Sequence, residues 1–204
     1  MKNALTGICL LIILLSNWQS KAQNPNNTVN YLGIQNALVF QKNNYHLVWS
    51  SHPESSFFKQ EYLARGDNFP NYNKMVSIDF AVTESNIDQV VTAKMRELEQ
   101  LKRPNLDVKF EILVNSQSGE KILDCLITQT AADNNNSLVE RDVYRFKTMK
   151  AKSGERGIML LAASTRKYGK DIKPYLAKLK TEKQILIAEV AKFSIPEPNI
   201  PKQY

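Results

Sequence analysis

Two cysteines and two histidines are all that this 204-residue chain offers toward a Cys/His zinc site. A structural zinc site normally draws on several such residues. No metal site is therefore expected, and His46 and His52 read as ordinary surface or partly buried histidines. Cys9 falls inside the amino-terminal apolar run, so Cys125 stands alone in the remainder and an internal disulfide is excluded. Glycine is scarce as well, at seven residues, and no Gly-rich phosphate loop occurs. The Gly-x-Ser-x-Gly nucleophile elbow is also missing. Cys125 lies in an apolar stretch, where a cysteine behaves as a small buried hydrophobe and not as a reactive thiol. Ser50 and Ser51 flank His52, yet a triad is defined by spatial geometry and not by neighbours in sequence. No catalytic residue and no cofactor is implied. A hydrolase using His46 or His52 stays as the enzymatic alternative.

Long apolar runs are lacking too. The one present, Ala4 to Leu15, is twelve residues broken only by Thr6 and Gly7, and a membrane-spanning helix needs about twenty. Lys2 precedes it, and Ser20-Lys21-Ala22 follows with small residues at the −3 and −1 positions of a cleavage site. The pattern predicts a signal peptide over 1–22 and a periplasmic or secreted product without a transmembrane helix. Lys2 and Lys21 leave with it, and residues 1–22 contain no acid, so the net charge of +7 falls to +5. That is too mildly basic to point to nucleic acid. The following 182 residues suffice for one self-supporting core. The expected layout is a disordered leader over 23–30, a single α+β domain over 31–193 and a Pro-rich flexible tail over 194–204.

Alternation marks the strands. Gln35 to Phe40 and Tyr45 to Ser50 read as a pair joined across Asn43-Asn44, and Phe57 to Leu63 as a third strand. In Met75 to Val82, Val76, Ile78 and Phe80 share one face, with Ser77, Asp79 and Ala81 on the other. A helix capped by Ser85 or Asn86 carries an apolar stripe from Ile87 to Leu101 and ends before Pro104. Its Lys94, Arg96, Glu97, Glu99 and Lys102 read as a solvated face. Leu106 to Val114, Ile122 to Thr130, Leu138 to Lys147 and Ile158 to Arg166 are further strands, the second apolar on both sides and so central. Asp171 is placed to cap a last helix through Leu179; periodicity leaves Gln184 to Phe193 open. The fold class is α+β: an antiparallel sheet of about six to seven strands covered on one side by two helices. Val108, Phe110, Ile112, Ile78 and Phe80 are expected in one core beneath the first helix.

Two groups of residues stand out as binding candidates. Arg141, Arg145 and Lys147 lie an even number of residues apart on one strand face, and Arg166 and Lys167 end the next strand. In a hairpin they would gather into a patch for an anionic ligand or an acidic envelope partner; otherwise they are solubilising surface charge. The loop from Asp67 to Lys74 carries Phe69 and Tyr72, which either dock a partner or fold back as a lid.

The segments FKQEYLARGDNFPNYNKMVSIDF (58–80), Val143-Tyr144-Arg145-Phe146 and Ser164 to Gly169 resemble an uncharacterised family of exported Gram-negative proteins. The order of elements is similar to the PsbP-like fold. This resemblance implies an accessory or binding domain of the cell envelope, or a docking subunit of an envelope complex.

Overall fold

The computed structural model describes residues 28–35 and 37–200. The expected signal peptide over 1–22, residues 23–27 of the expected leader, residue 36 and residues 201–204 of the expected tail lie outside the described residues. In chain order the elements are β1 (Ala37–Phe40), β2 (Asn43–Glu54), β3 (Phe57–Ala64), β4 (Lys74–Val82), α1 (Ile87–Gln100), β5 (Leu106–Val114), β6 (Lys121–Gln129), β7 (Leu138–Lys150), β8 (Arg156–Tyr168) and α2 (Ile172–Lys192). All eight strands join one sheet, in the order β1-β2-β3-β4-β8-β7-β6-β5, and every pairing is antiparallel. Against the expected six to seven strands the sheet holds eight, and the short β1 pairs along its whole length with β2 as expected.

The first hairpin turns one residue pair earlier than expected. Phe40 pairs with Asn43, and Gln41 and Lys42 form the loop with φ of 48° and 62°. Positive φ at both central residues suits the twist of a two-residue hairpin. This register sets Leu38 opposite Tyr45, with both side chains in the core.

Alternation along each strand sorts side chains to two faces, and each face receives one helix. Val76, Ile78, Phe80, Val143, Leu161 and Ala163 pack with Ile187 and Val190 of α2. Leu106, Val108, Leu123, Cys125, Tyr144 and Leu160 pack with Val91 and Leu98 of α1. The helices therefore do not share a side. α1 carries the chain from β4 across three strands to β5 at the far edge, and α2, leaving the central β8, occupies the face that α1 leaves open. The expected single core is divided accordingly: Ile78 and Phe80 belong to the α2 side, Val108 and Phe110 to the α1 side. Ile112, on the edge strand, is 39% exposed.

Local signals explain the helix ends. Asn86 Oδ1 accepts from the Gln89 backbone N–H at 3.0 Å, and Gln89 Oε1 accepts from the Asn86 N–H at 3.0 Å. This capping box satisfies two of the donors that a helix start leaves unpaired. Asp171 precedes α2 but makes no side-chain cap bond. Gln184 to Lys192 continues α2. Beyond it, 194–200 is no loose tail. Ile195 and Ile200 are buried, and the Asn199 N–H donates to the Leu32 carbonyl at 2.8 Å. Pro196 and Pro198 prevent a helix but leave an extended strap free to pack. Among the described residues, no helix is long and apolar enough to cross a membrane.

Candidate functional site

Among the described residues, most of the buried charge lies in one layer, between α1 and the sheet. Lys59 and Glu61 come from β3, Ser77 and Asp79 from β4, Glu140, Asp142 and Tyr144 from β7, Ser164 and Arg166 from β8, Lys94 and Glu97 from α1; all are buried. Register brings them into rows: Lys59 opposite Asp79, Glu61 opposite Ser77, Glu140 opposite Arg166, Asp142 opposite Ser164. The solvated helix face is thereby corrected in part, since Lys94 and Glu97 point at the sheet while Arg96, Glu99 and Lys102 are exposed. Asp79 and Ser77, read as the outer side of β4, are likewise covered.

Pairing within the layer is dense. Lys59 Nζ meets Glu61 Oε1 at 3.0 Å, and Lys94 Nζ meets Glu97 Oε1 at 3.0 Å. Lys94 also sits 4.9 Å above the centre of the Tyr144 ring, whose hydroxyl donates to Asp142 Oδ2 at 3.1 Å. Arg166 Nε donates to Glu140 Oε2 at 2.8 Å, and its guanidinium lies 4.0 Å above the Tyr72 ring. The Tyr72 hydroxyl donates to Glu140 Oε1 at 2.6 Å. Burial costs an unpaired carboxylate far more than a paired one, and the five carboxyls outnumber the three cations.

The protonation states follow from that imbalance. Burial pushes the Asp79 carboxyl up to about 6, against the pull of Lys59; its Oδ1 accepts no hydrogen bond. Burial and then neighbouring Asp142 push Glu140 up to about 7, and burial raises Asp142 too. For Lys59, burial pulls downward, but Glu61 and Asp79 outweigh it and hold the ammonium above the ordinary lysine range. Burial drives the Cys125 thiol well above its usual value, which makes it a poor nucleophile. Within the layer, a cavity of about 20 Å³ is lined by Tyr72, Ser77, Lys94, Glu97, Glu140, Asp142, Tyr144 and Ser164. It has room for about one water molecule. The layer is a buried, largely paired network that seats α1 on the sheet.

The candidate basic patch is split by the sheet. Arg141 and Arg145 share the α2 face as expected, but both are buried. Arg141 donates Nε to Asp124 Oδ1 at 2.8 Å and Nη2 to the Lys183 carbonyl at 2.8 Å. Arg145 donates Nε to Glu120 Oε2 at 2.7 Å and Nη1 to the carbonyls of Val190 and Phe193 at 3.1 and 2.7 Å. The two guanidiniums thus anchor α2, Arg141 at mid-helix and Arg145 at the carbonyls of its carboxyl end, where a cation also complements the helix dipole. Lys147 is half-exposed and approaches Glu120 at 3.4 Å. Arg166 lies on the opposite face with Glu140, and Lys167 is partly exposed beside it in sequence.

The aromatic loop folds back. Tyr72 is buried, Phe69 packs on it edge-to-face at 5.9 Å, and both rest against Leu63 and Met75. His46 is exposed. His52 is stacked on Phe58 at 4.1 Å, with Nδ1 3.0 Å from the Phe57 carbonyl.

One open apolar surface lies along β5. Val114 is 60% exposed. Next to it a groove of about 170 Å³ runs between α2 and the β5–β6 hairpin, walled by Leu113, Val114, Ile122, Ile187 and Ala191 and closed at one end by the Glu120–Arg145 pair. Alternation in 106–114 foretold the strand but not that it would be an edge, which depends on the crossover through α1.

A protein-family model matches residues 32–195. No curated protein and no solved structure matches the chain.

Proposed function

The chain belongs to the uncharacterised family matched over residues 32–195, and from that premise we propose that it is a non-catalytic binding domain of the bacterial cell envelope. Export rests on the amino-terminal pattern of residues 1–22. An accessory domain related in element order to the PsbP-like fold accords with one antiparallel sheet between two helices.

The groove beside β5 carries the binding reading. At about 170 Å³ it is smaller than the roughly 300 Å³ at which small-molecule sites begin. It suits an apolar side chain presented by a protein, the kind of anchor that dominates protein interfaces. The reading thus favours docking on a protein over capture of a free anion, because Arg141, Arg145 and Arg166 already have internal partners.

Site-specific photo-crosslinking in producing cells tests this. A reactive residue at Val114 should yield a protein adduct in the envelope fraction. The same residue at Val39, 64% exposed on the opposite edge strand, should yield none. Adducts from both positions, or from neither, would overturn the reading.

A further inference from the structure

The sheet has two edges of unequal design. β1 is four residues long, and a short edge strand offers little to pair with. β5 is nine residues long and pairs only with β6. Its ladder is bracketed by two bonds, Thr130 N–H to the Asn105 carbonyl and Asn115 N–H to the Glu120 carbonyl. Antiparallel strands alternate inward and outward groups, so odd-numbered residues bond to β6 and even-numbered ones turn outward. Leu106 is occupied by its turn, exchanging bonds with Arg103 at 2.9 and 3.1 Å. The backbones of Val108, Phe110, Ile112 and Val114 are left facing away from the sheet.

We propose that a second copy of this chain pairs there, β5 against β5 in antiparallel register with the two-fold axis at Phe110. This rests on the docking reading above and names its partner. In that register Phe110 meets its own copy and Val108 meets Ile112, with about six backbone hydrogen bonds between them. The apolar α1-side stripe, including the exposed Ile112, is continued across the junction. On the other face Lys109 meets Glu111 of the second copy, twice by symmetry. Both side chains are well exposed, Lys109 near Asp107 at 3.5 Å and Glu111 with Lys183 at 2.8 Å. Charges on an edge strand usually repel strangers; here their order, plus then minus about Phe110, is complementary to itself. A symmetric contact of this kind closes at two copies.

Sedimentation equilibrium on the purified chain, at concentrations up to about 1 mM, measures self-association alone, whereas the Val114 crosslink registers any partner. The wild type should pass from monomer to dimer. Lys109→Glu places like charges opposite twice and should weaken the dimer by about tenfold or more. The double variant Lys109→Glu/Glu111→Lys should restore it. A wild type that stays monomeric, or a double variant no better than the single, would overturn the inference. A monomer that still crosslinks from Val114 would mean that the surface docks a different protein.

Discussion

Arg166 and Glu140 face each other across the β7–β8 ladder, guanidinium Nε to carboxylate Oε2 at 2.8 Å, both out of reach of solvent. Cross-strand register alone makes them meet. What was read as half of a surface patch is one member of a buried pair, and removing either partner leaves the other uncompensated.

Arg166→Met should cost about 3–5 kcal/mol at pH 8, the usual penalty for orphaning a buried charge. At pH 5 the cost should shrink. The Glu140 carboxyl is raised to about 7 in the fold; a raised acid favours the folded state below its unfolded value and loses that contribution as pH climbs through the folded one. Urea melts at the two pH values measure this, and equal costs would show that Glu140 is not left charged.

Asp79 makes a pH dependence visible in the unmodified protein. Its carboxyl is raised from 3.8 to about 6 by burial, so the contribution to stability is full below about 4 and is lost as pH rises through about 6. Asp79→Asn should flatten the stability profile between those limits. A variant profile parallel to the wild type would place the titration elsewhere.

Arg145→Ala should free the end of α2. The side chain bridges Glu120 and the carbonyls of Val190 and Phe193, so the loss should be about 3 kcal/mol, with amide exchange accelerated over residues 187–193. Arg145→Lys should rescue little, since an ammonium cannot reproduce the fork. Unchanged exchange in 187–193 would contradict the anchoring role.

The division of the core gives a paired comparison. Phe80→Ala, in the α2-side core, should cost about 3–5 kcal/mol. Ile112→Ala, on the exposed edge, should cost about 1 kcal/mol or less in the monomer. Comparable losses would mean that β5 is covered.

Strands and helices are legible in the residues because their periods are local: Val76, Ile78 and Phe80 alternate, and Asn86 with Gln89 spells a capping box. Partnership across the sheet is not local. Arg141, Arg145 and Arg166 read alike in sequence, yet Thr165, not Arg166, stands opposite Arg141, so one residue of register sends Arg166 to the other face. Lys94 and Glu97 carried a signal, falling on the same helical stripe as Val91, Leu98 and Leu101. Charge alone made them read as solvated. The strap from Ser194 to Ile200 escaped because its irregular backbone has no period, though Ile195 and Ile200 alternate with polar residues and prolines.

Amide hydrogen exchange, read residue by residue along β5, tests docking at this strand most directly. Dilute purified chain would be compared with concentrated chain and with chain in the envelope fraction of producing cells. Docking at β5 predicts that the outward amides of Val108, Phe110, Ile112 and Val114 exchange fast when dilute and become protected when concentrated or in the envelope. The inward amides of Lys109, Glu111 and Leu113 should stay protected throughout. Outward amides that exchange equally fast under all three conditions, while protection rises on another element, would contradict it.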